Sequence, residues 1–495
     1  MRHEGASIVL SCPVPAVFFV SLPPLTQVIA TMDSTYILDQ IRDKRIVILG
    51  FGREGISTYR FIRRHFPDMP LTVADRSEAL KTDDLDDPHL TVVKGENYDQ
   101  GLNDYDLIFK TPGISFNHVN YWIETEKITS QTNLFLEAFH KQVVGVTGTK
   151  GKSTTSSLIY HILKTAGRDT ILAGNIGTPF FDIIEQMTPK TIVVAELSAH
   201  QLEFVRRSPD YAVLLNLYQE HLDHFNSFNT YQIAKLNITR FQDDRQFLVY
   251  NGDDEHIPGL IKSYHLNRDR VIFGTEPQEG PYACCRDRKI HFAISGHVED
   301  EYDLSDYYNL PGTHNYYNIM AAMAVCRHLK VSHEDIERGL RSFRGLPNRI
   351  EYVGRFQGVE FYNDSISTIP EATIAALKAL KKVDTLILGG FDRGIEYNIL
   401  YEYLHENPVS NIAFTGPAGA RMMQEWRQQY PLPENVIHEQ DFRQIVAFAF
   451  GHTEEGRMVL LSPAAASYDQ FKNFEERGRI FKNLIVEYNQ KQTHE

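Results

Sequence analysis

The chain has 495 residues, 42% of them hydrophobic and 23% charged, with a formal net charge of −14. That length exceeds one ordinary core and predicts roughly two to four domains of a soluble globular protein. Basic residues are scattered, which argues against a nucleic-acid partner, because phosphate backbones are held by clustered Lys and Arg. The cysteines are Cys12, Cys284, Cys285 and Cys326, without a C-x-x-C spacing, and a vicinal pair rarely makes a structural disulfide, so a reducing compartment is expected.

The first apolar stretch, residues 7–30, is interrupted by Pro13, Pro15, Pro23 and Pro24. It is too broken for a membrane helix, and only Arg2 and His3 could serve as the basic end of a signal peptide. Residues 1–31 are therefore expected to be a non-native or disordered extension, with Met32 as the start, and no membrane partner is expected. From there short β-branched runs alternate with amphipathic helical stretches, the pattern of parallel sheets with crossover helices.

A first module, expected over 32–137, opens with the strand run RIVILG (45–50), a glycine turn and the strand LTVAD (71–75). Gly50, Gly52 and Gly55 stand in G-x-G-x-x-G register with Asp75 about twenty residues on, which taken alone is a dinucleotide fingerprint. A second module, expected over 138–345, opens with QVVGVT (142–147) and the loop Gly148-Thr149-Lys150-Gly151-Lys152-Ser153. A helix follows with Leu158, Ile159, Ile162 and Leu163 on one face and Gly167 as its stop, then strands TIVVAE (191–196) and YAVLLNL (211–217). A third module, expected over 346–495, carries VEFYND (359–364), a helix after Pro370, TLILGG (385–390), NIAFTG (411–416) and MVLLSP (458–463). The expected fold is α/β with three domains: a Rossmann-like first, a central P-loop ATPase-like mostly parallel sheet, and a Rossmann-like third.

The loop at 148–153 misses the common G-x-x-x-x-G-K-[ST] spelling, because Val146 stands where the first glycine belongs. Its setting is still that of a phosphate site. Gly148 and Gly151 let backbone N–H groups face an anion, the helix adds its positive end, Lys152 can reach the β- and γ-phosphates, and Ser153 can join a magnesium ion. Glu196, ending a buried strand, would be costly there without a cation or hydrogen-bond partner. Glu220, His221, Asp223 and His224 fall within five residues, a metal-site pattern that is equally common in solvated turns. Lys235, on its own, reads as an ordinary surface lysine of a helix.

These pieces occur together, in order, in one family. The loop at 148–153, GNIG (174–177), ELS (196–198), EHLDHF (220–225), AKLN (234–237), GTHNYYN (312–318), GLPNRIE (345–351), YNDS (362–365), GGFDRG (389–394) and LSPAAASYDQFKNFEERG (461–478) resemble the Mur ligases, ATP-dependent amide-bond ligases of peptidoglycan synthesis. Their phosphate loop has the short G-T-x-G-K-[ST] form, which accounts for the spacing. The last motif, GFGREG and KTPGI (110–114) resemble the branch that adds glutamate to UDP-N-acetylmuramoyl-L-alanine.

The resemblance implies roles at matching positions. ATP would be held by Gly148, Thr149, Lys150, Gly151, Lys152, Ser153, Asn315, Asn318, Arg349 and Asp364. Two magnesium ions are implied, with Ser153 and Glu196 at one and His221 and a carbamylated Lys235 at the other; a carbamate supplies an anionic oxygen where an ammonium would repel the ion. Lys152, Lys235, His221 and Arg349 would carry catalysis. The UDP-sugar would meet Gly52, Arg53, Glu54, Gly55, Asp75, Arg76, Thr111 and Asn175, and glutamate would meet Thr368, Arg393, Ser467, Tyr468 and Phe474. The implied reaction is ATP-dependent activation of the alanyl carboxylate as an acyl phosphate, then attack by the glutamate amine, in a cytoplasmic monomer. One departure is Ile366, where the family has Lys after Asp-Ser. D-glutamate is expected, with L-glutamate as the alternative and an NAD-dependent dehydrogenase as a distant one.

Overall fold

The computed structural model describes residues 34–80, 85–119, 121–266, 269–294, 297–304, 310 and 314–494. The expected extension at 1–31 lies outside the described residues. Three sheets follow one another along the chain. The first contains β1 (Ile46–Leu49), β2 (Leu71–Asp75), β3 (Leu90–Lys94), β4 (Leu107–Lys110) and β5 (Ile128–Thr129), in the order β3-β2-β1-β4-β5 and all parallel. The second contains β6 (Val143–Thr147), β7 (Thr170–Gly174), β8 (Ile192–Glu196), β9 (Tyr211–Leu214), β10 (Phe247–Asn251), β11 (Asp269–Gly274), β12 (Tyr282–Arg286), β13 (Lys289–Ile294) and β14 (His297–Asp303). Its order is β14-β13-β12-β11-β10-β9-β6-β8-β7. The third contains β15 (Glu351–Phe356), β16 (Val359–Asn363), β17 (Val383–Gly389), β18 (Asn411–Thr415), β19 (Asn435–His438) and β20 (Met458–Leu461), ordered β15-β16-β20-β17-β18-β19. The expected α/β class holds.

The strand runs are continuous rather than alternating because parallel strands are covered on both faces. All of β1 and all of β6 are buried. Helix Lys152–Thr165 buries Leu158, Ile159, Ile162 and Leu163 in one core with Val144, Val146, Val194 and Val213, and it ends as expected, with Gly167 in the left-handed region at φ 72°. The parallel strands of each sheet thus deliver their carboxyl ends to one edge, where ligand loops of open α/β folds collect.

Two antiparallel additions escaped the sequence. β12, β13 and β14 extend the central sheet as a meander, and β15 pairs antiparallel with β16. The β12–β13 and β15–β16 hairpins each close through two residues with positive φ, Asp287 and Arg288 in one and Gln357 and Gly358 in the other, the backbone of a type I′ turn. Asp-Arg lacks the Gly or Asn that usually marks such a turn.

Candidate active site

The centre of the site is the loop between β6 and helix Lys152–Thr165. Gly148 has φ 158° and packs so closely on Leu215 that a Cβ would come within 2.8 Å of the Leu215 Cβ. Gly151 caps the helix at φ 83°, and a Cβ there would run into Asn318 Oδ1. The loop is held from outside by a residue sequence reasoning missed. Asn216, just past β9, accepts from the Lys150 N–H at 2.7 Å and donates to the Lys150 carbonyl at 3.0 Å. Thr149 adds a second anchor, its hydroxyl 3.0 Å from that of Tyr231 and accepting from the Tyr218 N–H at 2.9 Å.

Two lysines converge beneath this loop. Lys152 Nζ donates to the carbonyls of Gly148 and Thr149 at 2.9 and 3.0 Å. Lys235 Nζ donates to the same Gly148 carbonyl at 2.8 Å. Lys235 is 1% exposed, which corrects the surface reading of an isolated helical lysine: helix Phe228–Arg240 packs its Lys235 face under the loop, not toward solvent. Burial, reinforced by the Lys152 charge, holds the Lys235 amine well below the usual lysine range, against the pull of Glu220 and Glu196. Burial lowers Lys152 as well, with Glu196 and Glu220 opposing.

Glu196 ends β8 fully buried. Its Oε1 accepts from Asn175 Nδ2 at 2.7 Å, while Oε2 has no hydrogen-bond partner. A buried carboxylate oxygen without a partner, facing the field of Lys152, suits a cation ligand. The acidic turn after β9 does not assemble as one metal cluster: Glu220 pairs with Lys150, His224 is buried on Glu203 at 3.0 Å, and His221 is left half-exposed with its ring 4.8 Å from that of His200. Among the described residues no group of three His, Cys, Asp or Glu is arranged to hold a metal. The carboxylates of Glu196 and a carbamylated Lys235 would therefore have to complete any magnesium sites. The residues fit that role, since burial favours the neutral form of the Lys235 amine, the form that takes up carbon dioxide.

Beside the loop lies a cavity of about 720 Å³, lined by Lys150, Gly151, Asn216, Asp253, Tyr317 and Asn318 among others. That volume suits a nucleotide. Asn318 Nδ2 donates to Asn315 Oδ1 at 2.9 Å, and Asn318 Oδ1 accepts from Thr155 at 3.2 Å. Sequence reasoning missed Asp253 and Tyr317, whose 2.9 Å hydrogen bond forms the far wall.

The third sheet brings Arg349 to this edge. It is exposed, and its charge acts on both Lys152 and Asp364. Asp364 is buried and accepts from the Ile350 N–H at 3.1 Å and the Ser462 hydroxyl at 2.7 Å; burial pushes its carboxyl up to about 6. Arg393 is exposed and donates to the Thr368 carbonyl at 3.2 Å, with exposed Tyr468 and Phe391 in edge contact nearby in the fold. Ser467 is buried, and the Phe474 carbonyl accepts from Ser365 Oγ at 2.9 Å. Ile366 is half-buried, and the cation absent there is not replaced by Arg477. That guanidinium is buried and donates to Ser365 Oγ and to the carbonyls of Ser365, Ala465 and Ala466 at 2.8–3.1 Å. Arg477 instead ties the two strand-end loops of the third sheet together.

The first sheet behaves differently. Asp75 Oδ2 accepts from the Phe51 N–H of its own glycine turn at 2.8 Å, Oδ1 accepts from Ser77 N–H at 2.8 Å, and Thr111 donates to the Leu49 carbonyl at 2.9 Å. Gly55 lets the helix approach the Gly50 carbonyl, and Arg76 is exposed. Gly52, the helix cap, has open space around it. Arg53 and Glu54 both turn to the central sheet: Arg53 donates to the carbonyls of Gly174 and Asn175, and Glu54 accepts from Gln201 Nε2 at 2.7 Å. Asp75 thus braces its own turn, while Arg53 and Glu54 are engaged with the central sheet.

Comparison with known proteins shows what the chain is similar to. Residues 146–326 match the Mur ligase middle domain, and residues 348–465 match the Mur ligase glutamate ligase domain. The chain is 32% identical over 454 residues to the UDP-N-acetylmuramoylalanine–D-glutamate ligase of Koribacter versatilis, covering 90% of this chain and 98% of that one. It is 34% identical over 467 residues to the enzyme of the same name from Ruminiclostridium cellulolyticum, covering 90% and 97%. Among solved structures, the fold is similar to the UDP-N-acetylmuramate-alanine ligase of Thermotoga maritima, with a TM-score of 0.52 at 19% identity, over 91% of this chain and all of the other. It is also similar to a UDP-N-acetylmuramoyl-L-alanyl-D-glutamate–2,6-diaminopimelate ligase, with a TM-score of 0.55 at 17% identity, over 77% and 87%.

Proposed function

The chain belongs to the Mur ligase family, and from that membership we propose that it joins D-glutamate to UDP-N-acetylmuramoyl-L-alanine at the expense of ATP, in peptidoglycan precursor synthesis. The dehydrogenase alternative falls with it. The observation that carries the chemistry is the pair of lysines under the 148–153 loop, facing the unpartnered Glu196 oxygen beside a nucleotide-sized cavity.

In this reading the alanyl carboxylate attacks the γ-phosphate of ATP, giving ADP and an acyl phosphate, and the neutral amine of glutamate then displaces phosphate. Such chemistry needs positioning and charge compensation more than covalent help from the protein. Backbone N–H groups of 148–153 and Lys152 hold the phosphates, and Arg349 reaches them from the third sheet. Ser153 and Glu196 would hold one magnesium ion, and His221 with a carbamylated Lys235 the other. Magnesium held by these residues would supply positive charge to the phosphate oxygens during transfer. The glycine turn of the first sheet, Asp75, Arg76, Thr111 and Asn175 line the UDP-sugar side. Arg393 meets a glutamate carboxylate with up to two parallel hydrogen bonds, and Thr368, Ser467, Tyr468 and Phe474 shape the rest of that pocket. In this reading the enzyme acts as a monomer in the cytoplasm, where ATP is available to it. No helix among the described residues is long and apolar enough to cross a membrane.

The test pairs purified enzyme, ATP and UDP-N-acetylmuramoyl-L-alanine with each enantiomer of glutamate. ADP release with D-glutamate is expected; faster turnover of L-glutamate would overturn the stereochemical assignment, and ADP release with neither would overturn the reaction.

A further inference from the structure

Two adjacent residues of the first glycine turn grip both sides of the Glu196 strand end. Arg53 Nη2 donates to the Gly174 and Asn175 carbonyls at 2.9 and 2.8 Å, and its Nη1 lies 3.4 Å from the Gly177 carbonyl. The turn it holds has left-handed φ at both Gly174 and Gly177, 98° and 76°. Its own backbone closes it through Gly174 N–H to the Thr178 carbonyl at 3.1 Å and Thr178 N–H to the Leu172 carbonyl at 3.3 Å, so Arg53 adds the clamp from outside. The same turn bears directly on Glu196: the Asn175 N–H donates to the Glu196 carbonyl at 2.9 Å and its side-chain amide to Glu196 Oε1 at 2.7 Å. On the other side, Glu54 accepts from Gln201 Nε2 at 2.7 Å. Gln201 Oε1 in turn accepts from the Ser198 N–H at 3.0 Å, two residues beyond Glu196.

We infer that Arg53 is a positioning residue for the cation-binding carboxylate. By fixing the 174–177 turn from the neighbouring domain, it aims the Asn175 amide at Glu196 Oε1 and leaves Oε2 directed at the cation. A ligand carboxylate whose partner amide wanders loses affinity for its metal, and removal of such an outer partner costs about 10–100-fold in metal affinity. Arg53 thereby couples the UDP-sugar half of the enzyme to the ATP half, a task different from contact with the sugar. This inference rests on the reading of Glu196 as a cation ligand.

The experiment measures Mn²⁺ affinity of the full-length enzyme with ADP, and without UDP-sugar, from the electron paramagnetic resonance signal of free Mn²⁺. Arg53→Ala is expected to weaken Mn²⁺ about tenfold. Arg53→Lys, whose single ammonium cannot reproduce the forked contacts, is expected to weaken it about threefold, and it decides the question if Arg53→Ala does not fold. Ser57→Ala is the control for a generally loosened interface. It removes the 2.7 Å bond from Ser57 to Asp182 without touching 174–177, and is expected to leave Mn²⁺ affinity unchanged. Glu196→Gln separates the two levels: if it leaves Mn²⁺ affinity intact, the cation-ligand reading fails and this inference with it. If Glu196→Gln weakens Mn²⁺ while both Arg53 variants bind it as the parent does, the positioning role alone is overturned. A loss in Ser57→Ala equal to that in Arg53→Ala would also overturn it.

Discussion

The chain builds the same strand–glycine turn–helix unit twice, after β1 and after β6, and fills the two turns with opposite charge. After β1, Asp75 takes the Phe51 N–H and the Glu54 carboxyl is buried in the first helical turn against Gln201, so two acids stand close to the helix start. After β6 there is no acid in the first turn; Lys152 and Lys235 stand under the loop instead. A glycine turn fixes the shape of a site, and the residues set around it fix its charge. The G-x-G-x-x-G spacing at 50–55 comes with acids close by, whereas the irregular loop at 148–153 comes with two lysines suited to the phosphates of the proposed ATP.

The comparison breaks most visibly if the cations of the second turn can be dispensed with. Lys152→Ala is expected to lower kcat about a thousandfold or more, because transfer of a phosphoryl group leans on fixed positive charge. Steady-state ADP release checks this, and a loss under tenfold would remove the phosphate-loop assignment. Lys235→Ala is expected to lose about a hundredfold or more, unrelieved by added bicarbonate, since the amine that would take up carbon dioxide is gone. A variant with the parent rate would remove the carbamate.

The two helix caps sharpen the contrast at smaller scale. Gly151→Ala forces a left-handed alanine into Asn318 Oδ1 and is expected to cost about 1–3 kcal/mol in unfolding free energy, with weaker ATP binding. Gly52 has φ −79° and open space around its missing Cβ, so Gly52→Ala is expected to stay within about 0.5 kcal/mol of the parent. Denaturant melts of both variants give the two numbers, and equal losses would show that the turns are built alike.

What was legible beforehand follows the same division. Sheet class, strand positions and the 148–153 loop were readable because β-branched runs, glycines and Lys152 are local signals. The task of Arg53 was not, because its partners lie more than a hundred residues away and are backbone carbonyls, which any sequence supplies. Lys235 looked like a surface lysine because a helix pattern records which residues are polar, not which loop will be laid over them. Asn216 and Arg477 act on backbone atoms of distant loops, and the Asp287-Arg288 hairpin uses residues that do not announce a turn.

The smallest effect concerns the acid that closes the first turn. Burial raises the Glu54 carboxyl above its ordinary value, with the Gln201 hydrogen bond and the charges of Arg53 and Lys110 pulling the other way. The folded protein thus holds this proton more tightly than the unfolded chain. Between the two pKa values the native state binds more protons, so the contribution of Glu54 to stability is full below the unfolded value and declines as pH rises toward the folded one. Glu54→Gln keeps the oxygen that accepts from Gln201 and removes the ionisation. The variant should therefore gain on the parent as pH increases: its melting temperature relative to the parent should be higher at pH 7.5 than at pH 5. A difference that is constant with pH, or that shrinks as pH rises, would mean that the first turn holds a comfortable anion. The charge contrast between the two turns would then be larger, a full carboxylate at the first against the lysines of the second.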